Sequence, residues 1–149
     1  MFTDSVKLTG KLKVVLRDDA GSVLEEYEIP NVVTTVGKGY IASRMKETGR
    51  PDQMSHMAIG TGTTAAAVGN TALVTENARV SLSTAGGTVS ANEVVYEATF
   101  GAGTGTGAIT EAGIFNDASS GTLLCRTVFP VINKGANDTL GITWTVTIN

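Results

Sequence analysis

The chain has 149 residues, 42% of them hydrophobic, with 11 basic against 14 acidic side chains for a formal charge of −3. That length encloses a single core, which disfavours a two-domain enzyme with a cleft between halves. The scattered charge lacks the basic footprint of a nucleic-acid binder, and no stretch nears the roughly 18 unbroken apolar residues of a membrane span.

The first residues, MFTDSVKLTGKLKVVLRDD, carry charges throughout and no continuous apolar core of the kind a signal peptide needs. Residues 6–16 alternate, with Val6, Leu8, Leu12, Val14 and Leu16 on one face. Lys7, Thr9, Lys11, Lys13 and Arg17 fall mostly on the other, so the segment reads as a half-buried strand. Asp18-Asp19-Ala20-Gly21 supplies turn chemistry and residues 22–29 return, giving an N-terminal hairpin over residues 1–30. Gly10 inside the first strand marks a bulge or a close backbone approach.

After Val32-Val33 the pattern changes. Thr34 or Thr35 caps a short helix over about residues 37–48, with Tyr40, Ile41 and Met45 inward and Gly49 and Pro51 as its stop. From there the chain reads as wholly β. Strands are expected at 54–59, 79–83, 108–115 and 122–129. A long one at 88–100 carries Val94, Tyr96, Ala98 and Phe100 on one face. The last segment is the clearest: Leu140, Ile142, Trp144, Val146 and Ile148 alternate with Gly141, Thr143, Thr145 and Thr147. About eight or nine strands with one short helix make an antiparallel β-sandwich, expected as one β-rich module over residues 1–149.

Chemistry is harder to find. The glycine-rich stretch Gly60-Thr61-Gly62-Thr63-Thr64-Ala65 has neither the lysine of a phosphate-binding loop nor the third glycine of a dinucleotide fingerprint. His56 is the lone histidine and no GxSxG elbow presents a nucleophile. Cys125, also alone, excludes an intrachain disulfide and multi-cysteine metal sites, and reads as a small buried side chain. Glu76 and Glu111 can be drawn as the carboxylate pair of a glycosidase, but structural pairing of each with Arg79 or Arg126 is the stronger reading. Aromatic residues at 5% also speak against a lectin-like sugar reader. No catalytic residue, cofactor, metal, nucleic acid or membrane is expected.

Three segments, MSHMAIGTGTTAAAVGNTALVTENARV, GAITEAGIFNDASSGTLLCRTVFP and KGANDTLGITWTVTI, resemble small virion structural proteins of tailed bacteriophages. These include the domain near the start of tail-collar and tail-fibre proteins. The likeness runs from about Asn31 to Asn149 and rests on the order of its motifs. The matching residues are Met57, Ala58, Ile59, Gly60 and Gly62, then Ala72, Leu73, Glu76 and Arg79, then Ile109, Glu111, Gly113 and Phe115. The resemblance implies a scaffold role on a phage particle. Because no fibre shaft follows, a capsid decoration (cement) protein is the favoured expectation, with a tail-fibre or baseplate adaptor as the alternative. The partners implied are further copies of the chain, taken as a trimer, with the major capsid protein or, alternatively, tail, baseplate or fibre proteins. Lys7, Lys11, Lys13 and Arg17 form a candidate docking face for an acidic partner.

Overall fold

The computed structural model describes residues 4–149, which form ten strands and one helix. In chain order they are β1 (Leu8–Arg17), β2 (Val23–Pro30), β3 (Val32–Val33), α1 (Thr35–Ser43), β4 (His56–Gly60) and β5 (Glu76–Ser81). β6 (Thr88–Ser90), β7 (Glu93–Phe100), β8 (Gly107–Phe115), β9 (Leu123–Lys134) and β10 (Thr139–Ile148) complete the set. They assemble into two five-stranded sheets of orders β2-β1-β10-β7-β6 and β3-β9-β8-β4-β5, with antiparallel neighbours throughout.

The sandwich follows from the alternation. Leu12, Val14 and Leu16 of β1, Leu140, Ile142 and Trp144 of β10, and Tyr96 and Phe100 of β7 point inward. They meet Met57, Ile59, Ile109, Ile114, Phe129 and Ile132 from the facing sheet. Fully burying one such aliphatic side chain contributes about 1.5–3 kcal/mol. The hairpin is built into this layer, since β1 pairs with β2 on one side and with β10 on the other. Gly10 is a close approach: a Cβ there would collide with the Asn31 side chain.

Several local expectations change. The helix starts at Thr35 and ends at Ser43, with Thr34 as its cap accepting the Gly37 N–H at 2.9 Å. Gly37 lets the helix lie on β9, where a Cβ would strike the Leu124 backbone. Since the helix stops early, Met45 is 91% exposed rather than inward. Val6 also lies outside β1 and is exposed. The strand expected over 88–100 is a hairpin: Ala91 takes a φ of 51° and β6 folds back on β7. Finally β9 runs through Pro130 to Lys134. Proline is tolerated because β3 pairs with β9 only at Cys125 and Arg126, leaving no ladder bond to lose on that edge. Among the described residues no helix is long and apolar enough to cross a membrane.

Candidate functional site

The family-like motifs converge on the outer face of the second sheet. Residues 61–75 form a connection without helix or strand and without a charged side chain, and connections of that length are uncommon in compact proteins. On β8, Ala112 and Ile114 face the inter-sheet core, while Glu111, Gly113 and Phe115 face outward beneath the 61–75 loop. A register shift between Ile109 and Glu111 lets Ile109 face the core as well.

Glu111 is the centre of the clamp. Its Oε1 accepts the Gly62 N–H at 3.0 Å and the Thr75 N–H at 2.7 Å, while Oε2 accepts the Val74 N–H at 3.0 Å and Arg126 Nε–H at 3.0 Å. The rest of the Arg126 guanidinium donates to Asn70 Oδ1 at 3.0 Å and to the Thr64 carbonyl at 2.9 Å. Thr110 Oγ1 donates to the Gly62 carbonyl at 2.8 Å. Both charged side chains are 0% exposed. Burial alone raises the Glu111 carboxyl, yet the hydrogen bonds from Thr75, Val74, Arg126 and Gly62 outweigh it and hold the carboxyl below its ordinary value. Two ends of one long loop are thereby tied to adjacent strands.

The glycines make room for that carboxylate. A Cβ on Gly60 would strike the Thr75 carbonyl, and one on Gly62 would meet Glu111 Oε1 and Val74. One on Gly113 would press on Leu123 and Leu73. Leu73, Ala58, Phe115 and Leu123 form a second, small apolar cluster under the loop. Beside it, Arg79 pairs with Glu76, Nη2 to Oε1 at 2.6 Å, and lies 3.8 Å from the Phe115 ring centroid. Its Nη1 donates to the Asp117 and Ser120 carbonyls at 2.9 and 2.8 Å, which anchors the turn between β8 and β9.

Most of the motif residues therefore share one neighbourhood. Gly60, Gly62, Leu73, Glu76, Arg79, Glu111, Gly113 and Phe115 build the clamp and its flank; Met57, Ile59 and Ile109 sit in the main core; Ala58 lies under the loop and Ala72 is exposed on it. Each of the two carboxylates drawn as a pair is engaged by its own arginine, Glu76 by Arg79 and Glu111 by Arg126. Cys125 is fully buried and its thiol is pushed well above its ordinary pKa by that burial. His56 Nδ1 lies 2.8 Å from Ser55 Oγ and Nε2 lies 3.4 Å from Ser81 Oγ. Among the described residues no three His, Cys, Asp or Glu side chains are grouped to hold a metal ion.

The lysine face is partly occupied from within. Lys11 pairs with Glu28, whose carboxyl is lowered by that lysine, and Lys13 Nζ lies 3.0 Å from Glu26. Arg17 donates to the Gly21 carbonyl at 3.1 Å, and Lys7 is exposed. The sequence gives no sign of the buried Lys134, 2% exposed, which donates to the Gly101 carbonyl at 2.8 Å and steadies the glycine-rich loop before β8. Burial lowers its pKa, and Asp138 partly opposes the shift.

The family model for the N-terminal part of the phage tail-collar fibre protein covers residues 26–149, and the chain belongs to that family. No curated protein and no solved structure matches it. The family is one of tail structural components, so the capsid-cement expectation is corrected: the match speaks for the tail instead.

Proposed function

We propose that this chain is the attachment module of a phage tail fibre, joining the fibre to tail or baseplate proteins through protein contact. The match to a tail-collar fibre N-terminal region over residues 26–149 carries the reading. The clamp supports it physically. Glu111 and Arg126 spend their hydrogen bonds on the protein's own backbone and on Asn70, holding a charge-free loop in one shape. A loop fixed in advance loses little freedom on docking, which favours association. Its outward residues Ala65, Ala67, Val68 and Val74 are exposed and apolar, suited to a protein surface. The test is labelling of intact particles with an antibody against this chain. Label at the tail is expected; label over the head contradicts the reading.

A further inference from the structure

The cations left without an acid gather at the α1 end of the sandwich. Lys11, Lys13, Arg79 and Arg126 are paired within the chain, and Lys134 is buried. Among the described residues no acid pairs with Lys7, Lys38, Arg44, Lys46 or Arg50, all of them exposed. Lys7 and Ile148 line one groove with Lys38 and Ile41 of α1. Beyond the helix the chain winds on, the Arg44, Met45 and Lys46 N–H groups donating to the Ile41, Ala42 and Ser43 carbonyls. Arg44 Nη1 then donates to the Pro51 carbonyl at 2.9 Å, which brings Arg50 alongside. The acids of the same segments are Asp4, Glu47 and Asp52, so this end is net positive while the rest of the chain sets six cations against eleven carboxylates. Val6, Val36, Met45 and Ile148 are exposed among the cations. At the first turn of α1 the Thr35 N–H donates to the Val68 carbonyl at 2.8 Å, which joins this end to the exposed apolar stretch of the 61–75 loop.

From this arrangement we infer that the α1 end is the charged half of the docking surface and receives an acidic protein segment of the tail, its carboxylates over Lys7, Lys38 and Arg50 and an apolar side chain between them on Ile41 and Met45. The inference rests on the tail reading and adds the partner's chemistry to it. Cations that the chain leaves unneutralised repel one another, and a partner of opposite charge relieves that repulsion, speeds encounter and fixes orientation. The exposed apolar side chains supply the area that charge alone does not. A protein segment fits better than an anionic bilayer, because Glu47 and Asp52 interrupt the band. A continuous anionic surface meets both of those acids, whereas a peptide chain places its carboxylates around them.

Photocrosslinking in intact particles tests it, with p-benzoylphenylalanine in place of the exposed Met45. The adduct is expected to join a different tail protein through a peptide with more acids than bases. Lys38→Glu combined with Arg50→Glu should cut incorporation into particles roughly tenfold, since it sets like charges against the partner, and Lys38→Arg with Arg50→Lys should preserve it. Both positions are exposed, and far-UV circular dichroism with unchanged melting checks that the variants fold. An adduct to lipid, to another copy of this chain or to a base-rich peptide, no adduct at all, or full incorporation of the charge-reversed chain overturns the inference. Any of these with antibody label still at the tail leaves the tail reading standing, whereas label over the head removes that reading itself.

Discussion

At the scale of single residues, Glu111 is the position on which the outer face depends. Glu111→Gln leaves the Arg126 guanidinium buried beside a neutral amide and turns a donor toward backbone N–H groups that need an acceptor. Breaking one partner of a buried pair costs about 3–5 kcal/mol, and urea unfolding of the variant should show a loss of that order. The pH dependence has a definite sign. The folded carboxyl titrates below its unfolded value of about 4.3, so its stabilisation is complete above that value and is lost as pH falls through the folded one. The gap in stability between the native chain and Glu111→Gln should therefore close in acid and persist at neutral pH. Cys125 supplies a second check: buried and high in pKa, it should resist thiol reagents until the protein unfolds.

At the scale of elements, glycine substitutions separate close contact from mere flexibility. Gly60→Ala drives a methyl into a backbone carbonyl, whereas Gly113→Ala meets the ends of two leucines that can shift. Thermal melts should place Gly60→Ala clearly below Gly113→Ala. Ala91 is the reverse case. Its φ of 51° suits glycine, and Ala91→Gly should raise stability by about 0.5–1 kcal/mol in the same assay. That residue also explains why the β6–β7 hairpin was hidden in the sequence. The alternation of Val94, Tyr96, Ala98 and Phe100 is carried back across Ala91-Asn92, where alanine rather than glycine or asparagine fills the first turn position, so the segment reads as one strand. The extension of β9 was hidden for a similar reason: a proline signals a stop unless the neighbouring edge is known to be unpaired.

At the scale of the whole molecule, the sandwich was legible because hydrophobic alternation is set by which face is buried, and β1 and β10 alternate without a break. The motif residues were legible as a group through their resemblance, but their common purpose was not. Glu111 and Arg126 meet because β8 and β9 are neighbours, and Gly62 and Thr75 reach them because the loop folds back over the sheet. Both are facts of topology, which no local spacing encodes.

The central claim is that these residues hold the 61–75 loop as part of the folded body, and amide hydrogen exchange tests it most directly. The Gly62, Val74 and Thr75 amides should exchange nearly as slowly as those of β10, and Glu111→Gln should speed these three while leaving β10 unchanged. Fast exchange at all three positions in the native chain would contradict the account.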